Sequence, residues 1–130
     1  MVAILPPTPK IDISYRKSTY IAGQVRTRIG RFPQGITEID RKKTWVMLSA
    51  YNPGGRLKVN GWNLRMMNAL KERLSRYNFI EGEGRLGEHF EPLVMVAIAP
   101  AQGKKLARLF RQNAIVILRH QRQTRLIYLV

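Results

Sequence analysis

The sequence predicts a single compact α+β domain, in which a mainly antiparallel or mixed sheet carries two principal helices packed on one face. The chain has 130 residues, which suffices for one domain with a buried core. Short apolar runs rich in β-branched residues recur along it and are typical of strands. Two longer segments instead repeat apolar residues at helical spacing. We therefore expect the order β-β-(α)-β-α-(β)-β-α-β-β, with residues 15–130 as the domain.

Before that domain, residues 1–14 are predicted to form an extended lead-in, because their prolines fix φ and withhold N–H donors. The next residues predict two strands, at 19–21 and 25–29, joined by a turn that contains a glycine. The segment 31–43 is ambiguous and is compatible with one short helix.

A strand is predicted at residues 45–50, and the Tyr-Asn-Pro-Gly-Gly sequence at 51–55 ends it with a turn or loop. Residues 60–77 form the best helix of the sequence, and Asn60 is a suitable N-cap. Apolar side chains at helical spacing define the face that this helix is expected to bury: Leu64, Met67, Leu70, Leu74 and Tyr77.

Residues 79–80 are expected to start a short strand, and the stretch 81–91 that follows is expected to be a flexible loop. This stretch contains four of the eight acidic residues of the chain, together with three glycines. The apolar run 93–98 then predicts a strand that is buried on both faces.

The last part of the domain predicts a helix at 102–111, and Pro100 fits its first turn. Two strands follow, at 114–118 and 125–129, and a polar turn at 120–123 joins them. The buried face of the helix is expected to consist of Leu106, Leu109 and Phe110.

The chain is strongly basic, because 23 Lys and Arg against 8 Asp and Glu give a formal net charge of +15 at pH 7. Such an excess attracts polyanions, and arginine makes bidentate contacts with phosphate. Residues 92–130 contain no acidic residue, and their seven basic residues alternate with apolar segments that belong to a folded scaffold. The predicted phosphate contacts are Lys104, Lys105, Arg108, Arg111, Arg119, Arg122 and Arg125.

The sequence thus favours a small nucleic-acid-binding accessory protein that contacts mainly the phosphates of DNA or RNA and has no defined catalytic activity. Arg26 and Arg28 share the solvent face of the strand at 25–29 and add to this prediction. Aromatic residues for stacking on bases are few and scattered. A solvated helix face is the structural alternative for the basic residues of the helix at 102–111.

Several function classes lack their sequence signals. The chain has no cysteine, and His89 and His120 lack the spacing of a metal site, so we expect neither metal nor cofactor. No phosphate-binding glycine loop or nucleophile-elbow motif is present, although a catalytic group assembled in three dimensions stays open. No stretch has the length of a membrane span, and the N-terminal residues lack the pattern of a signal peptide. We therefore expect a soluble cytoplasmic protein.

Two other functions remain open. One is a protein-interaction module or adaptor that docks on an acidic protein partner, with residues 125–130 as a sheet edge for strand addition. The other is an unrecognised enzyme or small-ligand binder whose site is a cluster of polar residues at the sheet edge.

Several short motifs resemble a known family in their order and spacing. They are Ser18-Thr19-Tyr20, Arg28-Ile29-Gly30, the sequence Ser-Ala-Tyr-Asn-Pro at 49–53 with Asn63 downstream, Glu91-Pro92, and Ala-Arg-Leu-Phe-Arg-Gln-Asn-Ala-Ile at 107–115. Across roughly residues 15–120 the chain is similar to the bacterial domain-of-unknown-function family 3293. Two positions depart from the family pattern. His89-Phe90 stands where a Trp is common, and Arg111 stands where a Gly often follows the Phe.

The family is uncharacterised, so the resemblance implies a small bacterial cytoplasmic α+β protein without implying an activity. It also implies that five polar residues belong together: Asn52, Asn63, Glu91, Gln112 and Asn113. Because most of them mark ends of predicted strands, we expect them to converge at one sheet edge, as a pocket or as a polar tie between loops. Asn52 and Asn113 also have ordinary structural roles, in a turn and at a helix C-terminus. The heavy basic charge is not part of the family motif.

Overall fold

A seven-stranded antiparallel sheet and three helices make up the part of the chain that this computed structural model describes, residues 7–36, 41–52 and 57–129. The helices are α1 (Pro9–Lys17), α2 (Asn60–Arg73) and α3 (Pro100–Leu109). The strands are β1 (Thr19–Ala22), β2 (Val25–Thr27), β3 (Trp45–Leu48), β4 (Phe79–Leu86), β5 (His89–Val96), β6 (Ala114–Leu118) and β7 (Arg125–Tyr128). The predicted α+β fold class is confirmed.

The strand order is β2-β1-β4-β5-β3-β6-β7, and every neighbouring pair is antiparallel. The last four residues of β5 are buried, as the continuous apolar run predicts, and all of β3 is buried as well. These strands lie in the middle of the sheet, where both faces are covered. Four strands, β2, β3, β5 and β7, end one or two residues earlier than predicted.

The sheet curls until its two edges meet. The Gly30 N–H donates to the Thr124 carbonyl at 2.8 Å, and the Thr124 N–H donates to the Arg31 carbonyl at 2.8 Å. The buried hydroxyls of Thr27 and Thr124 also hydrogen-bond to each other. This closure places the segment after β2 beside the β6–β7 turn. The inner face of the curl holds a first apolar cluster, made of Tyr20, Ala22, Val25, Trp45, Met47, Leu93, Met95, Val116 and Leu118.

Two helices pack on the outer face of the sheet, as predicted. They cover a second apolar cluster, to which α2 and its C-cap contribute Met67, Leu70 and Leu74 and α3 contributes Ala107. The strands and their ends contribute Val46, Leu48, Ala50, Val94, Val96, Ile98, Ile115 and Leu129. None of the three described helices has the length and hydropathy needed to cross a membrane.

The buried face of α2 differs from the predicted one. The face that carries Met67 inward also carries Asn63, four residues earlier, so Leu64 is turned to solvent. The helix ends at Arg73, and Tyr77 lies beyond it and is exposed. The N-cap residue is Val59 rather than Asn60, and no side chain caps the helix.

The buried face of α3 also differs from the predicted one. Its fully buried residues are the small Gly103 and Ala107, whereas Leu106 and Phe110 are only partly buried and Leu109 is exposed. The helix lies close to the sheet, since a Cβ on Gly103 would come within 2.8 Å of a side-chain carbon of β3. Small side chains therefore face the sheet, and the larger ones lie at the sides.

The predicted lead-in at 1–14 is wrong for residues 9–14, which form α1 together with residues 15–17 instead of extended chain. Thr8 caps this helix, and a proline occupies its first turn, where the missing N–H is not needed. Tyr15 of α1 packs edge-on against Tyr128 of β7, with ring centroids 6.1 Å apart, so α1 is part of the folded domain. Residues 1–6 of the predicted lead-in lie outside the described residues.

The stretch 81–91 is a β-hairpin and not the predicted loop. Strands β4 and β5 pair along their whole length, from Phe79 opposite Val96 to Leu86 opposite His89. The two residues between them form the turn, and Gly87 there has a φ of +62°, which glycine adopts without strain. Strand β4 is not predicted from the sequence, because this strand carries glycines and glutamates where apolar residues usually indicate a strand.

Gly82 is required by the close approach of β1 to β4. A Cβ at this position would lie 2.1 Å from the Ile21 carbonyl oxygen and 2.8 Å from the Ala22 Cβ. We expect Gly82→Ala to lower the free energy of unfolding by about 2 kcal/mol or more, because the strands must separate to admit the methyl group. Gly61→Ala in α2 is the control, since nothing lies within 4 Å of its Cβ position. Urea unfolding curves that gave equal stabilities for both variants would contradict this explanation.

The segment 31–43 is described only in part. Residues 37–40, and with them part of the predicted short helix, lie outside the described residues, so the structure does not test this prediction. Its first part folds back on β2, because the Arg26 N–H donates to the Gln34 carbonyl at 3.0 Å and the Gln34 N–H donates to the Arg26 carbonyl at 2.9 Å. Most of the predicted turn at 51–55 also lies outside the described residues.

Candidate functional site

The two ends of the sheet carry chemically different side chains. Strand β3 starts after Lys43 and runs toward Asn52, whereas β6 starts after Asn113 and runs back toward Arg119. The polar residues that the family resemblance groups together therefore lie at one end, and the basic residues beyond β6 lie at the other. At about 3.3 Å per strand residue, roughly 15 Å separate the two ends.

Asn52 and Asn63 hold each other through two reciprocal hydrogen bonds. The Asn52 N–H donates to Asn63 Oδ1 at 2.9 Å, and Asn63 Nδ2 donates to Asn52 Oδ1 at 2.9 Å. The backbone of Lys58 completes this network, with its N–H 3.0 Å from Asn52 Oδ1 and its carbonyl 3.2 Å from Asn63 Nδ2. Asn63 is only 1% exposed. These two residues therefore form the polar tie between the end of β3 and α2.

Glu91 is connected to this tie and has no Lys or Arg partner among the described residues. Asn52 Nδ2 donates to Glu91 Oε1 at 2.8 Å, and His89 Nε2 lies 3.5 Å from the same oxygen. No described Lys or Arg pairs with this carboxylate, although other carboxylates have basic partners: Asp12 pairs with Arg16, Glu81 with Lys71, and Glu83 with Arg85. Across the described residues, no three His, Asp or Glu side chains gather closely enough to hold a metal ion.

Gln112 and Asn113 lead from α3 into β6 and are both buried. The Gln112 N–H donates to the helix carbonyl five residues back at 2.9 Å, around Arg111, whose φ of +56° is left-handed. The helix thus ends in a Schellman-type turn, and its left-handed residue is Arg111 rather than Asn113. Glycine suits this conformation best, which accounts for the glycine expected here from the family resemblance. The Gln112 amide donates to two carbonyls, including that of Tyr51, at 3.3 Å.

A cavity of about 500 Å³ opens beside this cluster, and we call it the tyrosine pocket. Four of the five grouped polar residues line it, namely Asn52, Glu91, Gln112 and Asn113, while Asn63 lies buried behind Asn52. The other walls bring in three tyrosines from α1, β1 and the segment after β3: Tyr15, Tyr20 and Tyr51. The sequence does not reveal these tyrosines as neighbours, because α1 itself is not predicted.

Three tyrosines in and near the pocket, Tyr15, Tyr20 and Tyr128, have raised pKa values. Burial, followed by the negative charge of Glu91, raises the pKa of Tyr15 to about 12. Burial also raises the pKa of Tyr20 well above its ordinary value, and the Tyr20 hydroxyl donates to the Tyr15 carbonyl at 2.8 Å. Burial and the hydrogen bond to Asp12 raise the pKa of Tyr128. None of these phenols is therefore a phenolate base at neutral pH.

At the opposite end of the sheet, four of the seven predicted phosphate contacts line one concave surface. This depression has a volume of about 890 Å³ and lies between the start of α3 and the β6–β7 turn. Its basic residues are Lys104, Arg119, Arg122 and Arg125. The other three predicted contacts do not line it and are exposed elsewhere: Lys105, Arg108 and Arg111.

Two further concave surfaces adjoin this depression. One shares Phe32 and Gln123 with it, and the other shares Pro100 and Arg119. Within the described ranges, no Asp or Glu lines any of the three, and none of their basic residues forms an ion pair with a carboxylate. We call the combined surface the basic face. Its basic residues are Arg26, Arg28, Arg31, Lys43, Arg76, Lys104, Arg119, Arg122 and Arg125.

Sequence reasoning finds only part of the basic face. It singles out the C-terminal residues and, separately, Arg26 and Arg28. It misses Arg31, Lys43 and Arg76, because only the closure of the curled sheet brings residues 26–31 to the β6–β7 turn.

Comparison with known proteins yields one family. The family model described as "Protein of unknown function (DUF3293)" matches residues 48–115. No similar protein is found among curated proteins. No solved structure matches either. All five grouped polar residues lie in the matched segment, whereas only Arg76 and Lys104 of the basic face do.

Proposed function

The chain belongs to the DUF3293 family of proteins of unknown function, and we propose that it binds nucleic acid, contacting mainly phosphates through the basic face. The observation that carries this proposal is the concentration of nine Lys and Arg residues on adjoining concave surfaces that no Asp or Glu lines among the described residues. We also propose that it acts in a bacterial cytoplasm, where DNA and RNA are accessible, as an accessory protein without a defined catalytic activity.

The composition of the basic face suits phosphate. Seven of its nine cations are arginines, whose planar guanidinium groups donate two parallel hydrogen bonds to phosphate oxygens. A concave surface of one sign also focuses the electrostatic potential and speeds the capture of a polyanion. Arg119 is positioned in advance, because its Nε donates to Thr44 Oγ1 at 2.8 Å. The face therefore supports contact with a phosphate backbone rather than reading of base edges.

Two exposed aromatic rings support single-stranded nucleic acid as the preferred form. Phe32 is 62% exposed and lies where the first two concave surfaces join, and Tyr77 lines the third. Aromatic rings within a basic groove stack on unpaired bases, and each stacked base contributes about 1–3 kcal/mol to the binding free energy. A duplex offers no such unstacked bases, so it gains less from these rings.

The affinity for a short single strand should fall steeply with salt. If about five of the nine cations contact phosphates, the plot of log affinity against log salt concentration has a slope of about −3.5. Fluorescence anisotropy of a labelled oligothymidylate over a range of potassium chloride concentrations measures this slope. An absence of binding at about 50 mM salt, where such contacts are strong, would refute the proposal.

A protein-interaction role is the second candidate, and exposed apolar residues near the start of α2 favour it. Leu57 and Val59 are 84% and 76% exposed, and Leu64 on the helix is also turned to solvent. Apolar side chains grouped on a surface often mark protein contacts. In this role the basic face would receive an acidic protein partner. Recovery of one stoichiometric protein after nuclease treatment of a pull-down would favour this role over nucleic-acid binding.

A further inference from the structure

The tyrosine pocket contains a carboxylate that has no lysine or arginine partner among the described residues, although His89 Nε2 lies 3.5 Å from it. Glu91 lines this cavity, and in the described part of the chain no lysine or arginine lies within ion-pair distance of its carboxylate. Lys10 of α1 also lines the pocket but makes no ion pair with Glu91. Among the described residues, Glu91 is the only carboxylate that lines this pocket, and although the chain has 23 Lys and Arg, none of those described forms an ion pair with it.

The position of this carboxylate is fixed in advance. Asn52 Nδ2 holds Glu91 Oε1 at 2.8 Å, and Asn52 is itself fixed by its reciprocal hydrogen bonds with Asn63. No described residue donates a hydrogen bond to Glu91 Oε2. A hydrogen-bond donor of a ligand can therefore bind Glu91 Oε2 while the Glu91 side chain loses little further conformational entropy.

The walls of the pocket suit an organic cation. Tyr15, Tyr20 and Tyr51 line it, and neutral phenol rings attract cations through their π faces. A smaller cavity of about 90 Å³ adjoins it and shares Tyr15, Tyr20 and Glu91 as walls. Apolar side chains such as Leu93 and Val116 line the rest of the smaller cavity. An ammonium group on a short apolar chain therefore matches both cavities, with its charge at Glu91.

The net charge of +15 does not prevent an organic cation from binding in the tyrosine pocket. Arg119, Arg122 and Arg125 of the basic face lie at the other end of the sheet, roughly 15 Å away along the strands. At physiological ionic strength the Debye length is about 8 Å, so these distant cations are largely screened at the pocket. The local carboxylate then determines which ligand binds.

We propose that the tyrosine pocket is a binding site for a small organic cation, an ammonium or guanidinium group on a short apolar chain, with Glu91 as its counter-ion. The proposal concerns the polar end of the sheet and does not rest on nucleic-acid binding at the basic face.

NMR titration of the ¹⁵N-labelled full chain with n-butylammonium chloride tests this site, at about 0.15 M salt where distant charges are screened. We expect saturable shifts at Asn52, Asn113 and Glu91, with a dissociation constant of about 1 mM for so small a ligand. Methylguanidinium should bind at the same residues, and neutral n-butanol should bind at least about tenfold more weakly. Failure of both cations to give saturable shifts at these residues would overturn the proposal.

Glu91→Gln is the decisive variant. Its amide oxygen still accepts from Asn52 Nδ2, so the fold should persist while the charge is lost. We expect n-butylammonium to bind at least about tenfold more weakly to this variant. Glu88→Gln, in the exposed turn of the same hairpin, removes the same charge outside the pocket and should change the affinity less than about twofold. Equal affinity of Glu91→Gln and the unmodified protein, or equal loss in both variants, would overturn the proposal.

Discussion

Replacing Arg119, Arg122 and Arg125 together by glutamine is expected to weaken single-stranded oligonucleotide binding roughly 100-fold at 0.1 M salt. All three line the largest depression of the basic face. If each contributes about 1 kcal/mol through phosphate contacts, their loss amounts to about 3 kcal/mol, or about two powers of ten in affinity. The salt dependence should also become shallower by about 2 in log–log slope. Fluorescence anisotropy of a labelled oligothymidylate measures both quantities.

The matched control replaces Lys105, Arg108 and Arg111 by glutamine. This variant also loses three positive charges, and its three residues belong to the same set of sequence-predicted phosphate contacts. These residues do not line the basic face. We expect a loss of only about threefold, from the weaker general attraction. Equal losses in both triple variants would mean that net charge, and not the shape of the basic face, governs binding.

Asn63→Ala is expected to destabilise the protein by about 3 kcal/mol, which corresponds to a melting temperature lower by about 10 °C. The side chain is buried, and its removal leaves the Asn52 N–H and the Lys58 carbonyl without their partner and takes one of two donors from the Asn52 side-chain oxygen. Buried polar groups without partners cost more than the hydrogen bonds themselves contribute.

Asn68→Ala provides the comparison for this prediction. Asn68 is an exposed residue of the same helix, and alanine favours helix there, so its stability should be unchanged or slightly higher. Differential scanning calorimetry of both variants checks the two values. A melting temperature of Asn63→Ala within about 2 °C of the unmodified protein would show that the tie contributes little to stability.

The sequence predicts the elements that carry strong hydrophobic patterns. The apolar runs of β3, β5 and β6 appear as buried strands, and both outer helices form close to their predicted positions. These elements are apolar or periodic over enough residues for the pattern to be read locally. The sequence of α2 alone does not predict which of its faces is buried, because Asn63 is buried only through its pairing with Asn52.

Elements that depend on tertiary contacts escape sequence reasoning. Strand β4 has glycine at Gly82 because β1 approaches closely, so a residue typical of turns appears inside a strand. The helix α1 begins in a proline-rich stretch, and its packing on the sheet depends on Tyr128, more than one hundred residues away. Both errors arise from contacts between segments that are distant in the chain.

The candidate sites likewise combine features that the sequence predicts with features that depend on tertiary contacts. The grouping of Asn52, Glu91, Gln112 and Asn113 follows from the family resemblance, and the structure brings all four to one pocket. The tyrosine walls follow from the docking of α1. The basic face follows from the closure of the curled sheet at Thr124. The positions of the charged residues in the sequence do not predict this closure.

The central claim is that nucleic acid binds at the basic end of the sheet and leaves the polar end free. NMR titration of the ¹⁵N-labelled protein with an unlabelled oligothymidylate at about 0.1 M salt, where phosphate contacts are still strong, tests it directly. We predict shifts confined to residues around Phe32, Arg119 and Arg125, with no change at Asn52 or Asn113. Shifts centred on the tyrosine pocket, or spread evenly over the whole surface, would contradict the claim.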